Sequence, residues 1–226
     1  LKGVEGGTLS VAVISAGDYF FPRLLAAFTR EHPGVELELA VQNREGLLRR
    51  LADNLVDLAV MVRPPEGDET VAEPFAPHAY VIVAPPDHPL AGVKRIPFGR
   101  VLAERFVVRE RGSDTWNSMR EAFGSQFAAV KVAMEIASNE TIKQAVIAGL
   151  GIAFISQHTV SHELDERRLV AIKLDGLPVM RHWHAIRRAD KILLPAAQAM
   201  LEFLGSEGSK HLPVAKQTRR QFAQQK

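Results

Sequence analysis

Three short stretches of this 226-residue chain gather hydroxyl, amide and charged side chains directly after apolar runs. They are Ser15-Ala16-Gly17-Asp18, Arg109-Glu110-Arg111-Gly112-Ser113-Asp114-Thr115 and Ser138-Asn139-Glu140-Thr141. The hydroxyls of Ser15, Ser113, Thr115, Ser138 and Thr141 and the amide of Asn139 suit the oxygens of a small polar ligand. Arg63, just before Pro64-Pro65, and Arg109 add positive charge. Where such residues open a helix, here at Gly17 to Tyr19 and at Ser138 to Thr141, unpaired N–H groups and the helix dipole favour an anion by about 0.3–1 kcal/mol. The same residue types cap helices with no ligand present, so each stretch alone supports capping and ligand contact equally. Three such loops at strand ends shift the balance toward a binding site. Its expected residues are Ser15, Ala16, Gly17, Asp18, Arg63, Arg109, Ser113, Thr115, Ser138, Asn139, Glu140 and Thr141, and its expected ligand is a small anion, most simply a phosphorylated one.

Other chemistries lack their signatures. The sequence holds no G-x-S-x-G, G-x-x-x-x-G-K-[ST], H-E-x-x-H or G-x-G-x-x-G. Having no cysteine, it has no disulfide framework, thiolate zinc site, iron–sulfur site or cysteine nucleophile. His182 and His184 share one face of an expected strand with Trp183 opposite, but no third ligand accompanies them. His158 and His162, four apart, have no acid of assignable role beside them, and both pairs read as packing or surface histidines. Asp53 and Asp57 flank a helix-to-strand turn, where aspartate serves local hydrogen bonding. Gly149-Leu150-Gly151 closes a helix rather than opening one, the wrong side for phosphate. No catalytic residue, metal ligand or resident cofactor is assigned.

The elements that must position the loops alternate. Leu9, Val11 and Val13 form an apolar run between Gly7 and Gly17, and Phe21, Leu24, Leu25 and Phe28 then repeat as one helical stripe with Pro22 in the first turn. His32-Pro33-Gly34 ends that helix, and Val35 to Leu39 alternates as a strand. A helix over Arg44 to Ala52 leads to a strand over Leu58 to Val62. Tyr80 to Ala84 is a further strand, after which Pro85-Pro86-Asp87-His88-Pro89 reads as a boundary. The rhythm then restarts: strand Arg105 to Arg109, helix Asp114 to Phe123, strand Val130 to Ile136, a helix from Asn139, strand Ile152 to Ile155, strand Met180 to Arg187, and a last helix carrying Ala197, Met200, Leu201 and Leu204. Repeated βα units imply an α/β fold with mostly parallel sheets and helices on both faces. In such sheets ligands bind at the carboxyl ends of strands, where the three loops lie.

Apolar residues make up 46% of the chain, enough for a real core, and the length favours two lobes. The formal charge is +2, yet five of the basic residues (Lys210, Lys216, Arg219, Arg220 and Lys226) fall after Ser206 against Glu207 alone, leaving a body of −2. That body is a poor candidate for gripping duplex DNA, and the tail reads as a solvated end. No stretch is long and apolar enough to span a bilayer and no secretory pattern opens the chain, which implies a cytoplasmic protein with no membrane partner. The chain starts at Leu1 without methionine, as a fragment or processed form would.

The motifs resemble the effector-binding domain of LysR-type transcriptional regulators. The residues that carry this are G-T-L-S-V-A-V (Gly7 to Val13), F-P-R-L-L-A-A-F (Phe21 to Phe28), H-P-G-V (His32 to Val35), D-L-A-V (Asp57 to Val60) and A-S-N-E-T-I-K-Q-A-V-I-A-G-L-G-I-A-F-I (Ala137 to Ile155). More narrowly, R-P-P (Arg63 to Pro65), A-P-P-D-H-P-L (Ala84 to Leu90) and R-E-R-G-S-D-T (Arg109 to Thr115) resemble the subgroup that activates Calvin-cycle operons. The resemblance implies a two-lobed fold like type 2 periplasmic binding proteins, with a ligand cleft between the lobes. It implies lobe I over 1–83, lobe II over 84–182, a return to lobe I over 183–205 and a polar basic tail over 206–226. It also implies homodimers within tetramers, with the strand edge around Val35 to Val41 available for pairing, and DNA binding only through an N-terminal domain that does not precede Leu1 here. The implied effectors are ribulose bisphosphate, phosphoenolpyruvate or NADPH. Trp116 stands where many relatives carry a basic residue, which removes one cation from the second loop.

Three functions compete on these grounds. A metabolite sensor fits best, a solute-binding protein of a transport system shares the fold, and an enzyme would need an acid–base pair that the hydroxyl- and amide-rich loops do not supply.

Overall fold

The computed structural model describes residues 6–213. Along the chain come β1 (Gly7–Ile14), a 3₁₀ turn (Ser15–Tyr19), α1 (Phe21–Glu31), β2 (Val35–Gln42), α2 (Arg44–Ala52), β3 (Leu58–Met61) and β4 (Thr70–Ala84). Then follow α3 (Phe98–Leu102), β5 (Arg105–Arg109), α4 (Asp114–Phe123), a 3₁₀ segment (Gly124–Ala129), β6 (Lys131–Ile136), α5 (Asn139–Ile147) and β7 (Ala153–Ser156). The last elements are α6 (Ser161–Asp165), β8 (Val170–Ala171), β9 (Val179–Arg188), α7 (Pro195–Glu207) and a closing 3₁₀ turn (Gly208–His211). Two compact units result. One runs to His78 and resumes over Arg181–Pro213; the other is Ala79–Met180. The chain thus changes unit inside β4, upstream of the proline-rich passage after Ala84, and again inside β9.

In the first unit β2 and β3 flank β1 in parallel, β9 runs antiparallel to β3, and β4 lies beside β9. The crossovers α1 and α2 make the parallel ladders possible, and β1 and β3 are buried apolar runs, as strands covered on both faces must be. Trp183 on β9 is fully buried and meets Phe20 edge-on at 4.9 Å and His78 at 5.2 Å, while Phe28 of α1 meets Phe203 of α7 at 5.6 Å. His182 and His184 therefore point away from the core side that Trp183 occupies. Burial holds the His184 imidazole below its ordinary value.

In the second unit β5 and β6 are parallel, Phe106 and Ile152 form a parallel bridge, and β4 pairs antiparallel with β7 and β8. β6, β5 and the β7 segment therefore run the same way and end at one edge. Beneath them lies a core of Val81, Val83, Val107, Ile142, Val146, Ile155 and Leu164. A side chain at Gly151 would overlap the Arg105 carbonyl oxygen, so only glycine lets β7 approach β5 closely enough for Ile152 N–H to donate to that oxygen at 2.9 Å.

The fold is α/β as expected, and the antiparallel pairings β3–β9, β4–β7 and β4–β8 all involve the strands that carry the chain between units. One expectation needs correction. The polar end does not begin at residue 206, since Ser206 and Glu207 finish α7 and Gly208–His211 form a turn in which His211 stacks on Phe203 at 6.0 Å. The part of the expected tail beyond residue 213 lies outside the described residues.

Candidate functional site

Each unit carries part of the expected site. In the first, β1 delivers Ser15, Ala16, Gly17 and Asp18 into the 3₁₀ turn, with Ser15 half-buried, Ala16 and Gly17 buried and Asp18 exposed. A side chain on Gly17 would overlap Val13 Cγ2, so the residue is glycine for space. The expected helix start at Gly17 to Tyr19 is not there. The turn closes with Phe20 N–H donating to the Gly17 carbonyl at 3.1 Å, and α1 begins at Phe21, where Pro22 occupies the first turn. The Phe20 carbonyl accepts from Arg23 and Leu24 N–H. A five-residue turn sums few peptide dipoles, so this loop offers polar groups without the helix dipole anticipated for it. Arg63 follows β3, half-buried, and its carbonyl accepts from Arg44 Nε at 3.4 Å.

In the second unit the strand edge brings two loops together. Arg109 and Ile136 are register partners at the ends of parallel β5 and β6, so the loops after them start side by side. Ser113 Oγ accepts from Trp116 N–H at 3.1 Å and caps α4; Ser138 Oγ accepts from Thr141 N–H at 3.2 Å and caps α5. Both hydroxyls thus serve the capping reading, while Ser138 and Thr141 remain exposed. Arg109 is almost wholly buried, with Nε and Nη2 donating to Glu110 Oε2 and Oε1 at 2.7 and 2.9 Å and Nη1 to Asn139 Oδ1 at 2.7 Å. Its charge is compensated by Glu110, so the expectation that Arg109 supplies a bare cation is replaced by a positioning role. Glu140 pairs with Lys143 at 2.7 Å, which holds its carboxyl below the usual carboxylate range, and it also accepts from Gln144 at 2.9 Å. Lys143 reaches on to Glu163 Oε1 at 2.8 Å. Thr115 is buried on the first turn of α4.

Sequence reading passed over a third group on the same edge. Directly after β7, Gln157 is 1% exposed, and among the described residues neither its Oε1 nor its Nε2 has a hydrogen-bond partner; Thr159 Oγ1 and, on α4, Ser118 Oγ are likewise buried without a partner there. A buried polar group without a partner costs about 1–3 kcal/mol, so four such atoms in one unit mark a place kept for something other than stability. The sequence signal is the polar run Ser156-Gln157-His158-Thr159 after an apolar strand, the same pattern as in the other loops. Among the described residues no group of three or more His, Cys, Asp or Glu side chains is placed to hold a metal ion. No helix among them is long and apolar enough to cross a membrane.

Residues 2–209 match the LysR substrate binding domain family. The RuBisCO operon transcriptional regulator of Allochromatium vinosum is 44% identical over 210 residues, covering 93% of this chain and 70% of that protein. The HTH-type transcriptional regulator CbbR of Rhizobium meliloti (strain 1021) is 45% identical over 216 residues, covering 95% and 69%. Among solved structures, the CcmR regulatory domain of Synechocystis PCC6803 in complex with 2-PG superimposes with a TM-score of 0.84 at 38% identity, over 88% of this chain and 96% of that one. The effector-binding domain of QuiR in complex with shikimate gives 0.77 at 18% identity, over 92% and 99%, a likeness of fold alone. With the family matched over almost all of its length, this chain belongs to the LysR substrate-binding domains, the effector-binding part of LysR-type transcriptional regulators.

Proposed function

We propose that the chain senses a small anionic metabolite on behalf of a transcriptional regulator of carbon-fixation genes, acting in the cytoplasm and catalysing no reaction. The observation that carries the reading is the edge of the second unit. There the Ser113- and Ser138-capped helix starts flank the strand ends, and Gln157 and Thr159 present buried polar atoms that lack protein partners. The N-terminus of the nine-residue helix α5 favours negative charge. Contacts are assigned on the second unit to Thr115, Ser138, Asn139, Thr141 and the Glu140 N–H, with Arg109 and Ser113 holding the loops. The regulators it resembles act on the RuBisCO operon and a solved relative holds 2-PG, which supports 2-PG, ribulose bisphosphate, phosphoenolpyruvate and NADPH as the compounds to try. DNA contact belongs to a separate N-terminal domain, and the sensor works as a homodimer within a tetramer. Binding would then act by favouring one conformation over another.

Isothermal titration of the chain with those four compounds and with uncharged ribitol tests the reading. A phosphorylated compound is expected to bind, and Asn139→Ala or Ser138→Ala to weaken it about tenfold, the loss of one hydrogen bond to a charged group. Binding of ribitol alone, or unchanged affinity in both variants, would refute it.

A further inference from the structure

The second unit holds a cavity of about 410 Å³ at the other end of its strands. It borders Ala171, which pairs with Val83, and Val83 in turn pairs with Ala153 at the start of β7, whereas the edge described above follows the end of β7. Val81, Leu164, Ile172 and Leu174 are buried in its wall, and its volume falls in the range of small-molecule pockets, about 300–1,000 Å³. Its rim is cationic. Lys94, Arg95 and Lys173 are exposed around it, Asp175 is the single acid among the lining residues, and none of the three cations forms an ion pair among the described residues.

The backbone fixes that rim. Ile96 bridges Leu174 in parallel and its N–H donates to the Lys173 carbonyl at 3.2 Å, which lays Lys94-Arg95 and Lys173 on adjoining segments. Arg95 is held at φ 55°, a left-handed conformation unusual for a side chain of its size. Ile172 N–H donates to the Ile82 carbonyl at 2.8 Å and anchors the second segment to β4. Three like charges against the one acid, Asp175, leave a net positive rim, and an anion seated among them offsets their mutual repulsion. The apolar wall adds what inorganic phosphate cannot use.

We propose that this cavity is a second ligand site, taking an organic anion with an apolar body: the anionic group lies among Lys94, Arg95 and Lys173, and the body covers Val81, Leu164 and Ile172. The site stands independently of the effector assignment, because no residue is shared.

The test uses phenyl phosphate as probe, with inorganic phosphate and benzyl alcohol as the charge-only and apolar-only controls. Amide resonances of the ¹⁵N-labelled chain are followed during titration. Saturable shifts at Ile96, Lys173 and Leu174 are expected, with each control at least tenfold weaker. Lys94→Glu with Lys173→Glu should lower affinity at least tenfold with Tm unchanged, whereas Asn139→Ala should leave it unchanged. If the double reversal lowers Tm, Lys173→Gln is read instead, with a threefold or greater loss expected. Shifts confined to other residues, no saturable binding, or affinity indifferent to these substitutions would overturn the proposal. Loss of effector binding at Asn139 with this binding intact would separate the two sites.

Discussion

Arg109 Nη1 donates to Asn139 Oδ1 at 2.7 Å across 30 residues of sequence, and the same guanidinium is forked onto Glu110. One buried cation therefore locks the loop that opens α4 to the loop that opens α5. Arginine suits the place because its planar fork holds a carboxylate and an amide at once, which a lysine ammonium cannot do with the same geometry. Removing it leaves Glu110 and Asn139 without that partner, so Arg109→Ala is expected to destabilise the chain by about 3 kcal/mol, the usual cost of breaking a buried pair. Urea unfolding monitored by circular dichroism measures it. A loss below about 1 kcal/mol would mean that the loops hold themselves.

Asp57 does for the first unit what Arg109 does for the second. Its Oδ2 accepts from both the N–H and Oγ of Ser10 at 2.9 Å, and its Oδ1 pairs with Lys191 at 2.9 Å, tying the middle of β1 and the start of β3 to the segment after β9. Burial raises the carboxyl pKa, but the Ser10 N–H, Lys191 and the Ser10 hydroxyl outweigh it and hold the group below its ordinary value. A carboxyl depressed on folding stabilises the folded state above its unfolded pKa, about 4, and that contribution fades as pH falls through the lower folded value. Asp57→Ala is expected to cost about 2 kcal/mol at pH 7 and to flatten the fall in stability between about pH 5 and pH 2. Denaturant midpoints across that range check the sign.

Among the described residues strand β2 pairs only with β1, and Leu39 and Val41 on it are 39% and 40% exposed. An apolar edge of this kind invites a second copy. Sedimentation velocity is expected to show dimers of the wild-type chain at micromolar concentration and a shift of at least tenfold toward monomer in Leu39→Lys with Val41→Glu. A wild type that stays monomeric into the millimolar range would remove β2 from the assembly.

Local pattern was enough for elements whose apolar periodicity is uninterrupted. Arg44–Ala52, Arg105–Arg109 and Asp114–Phe123 form over the residues their spacing implies, because caps and buried stripes agree in the two helices and an apolar run is buried in the strand. Prolines misled the reading of β4. It begins at Thr70 rather than near Tyr80, and Pro74 and Pro77 lie in its more exposed half, where a missing N–H is tolerated. The short elements α3, α6 and β8 have too few residues to show a period. At the site, residue type revealed which loops are polar but not which polar groups are already spent. Ser113 and Ser138 cap helices, Glu110 cancels Arg109, and these pairings depend on side chains brought together only by the fold.

Gln157 gives the sharpest separation of stability from binding. The residue is 1% exposed and both of its polar atoms lack partners among the described residues, so the folded state bears their desolvation with no return. Gln157→Met keeps the length and removes the unmet hydrogen bonds, and it is expected to stabilise the chain by about 1 kcal/mol. A ligand that hydrogen-bonds this amide loses a donor and an acceptor in the variant, so the affinity for a phosphorylated effector is expected to fall at least tenfold. Thermal unfolding without ligand and calorimetric titration with 2-PG measure the two effects on one preparation. Opposite signs are the mark of a polar group kept for ligand contact. A variant that is both less stable and equally tight would assign Gln157 to the architecture of the turn after β7 instead.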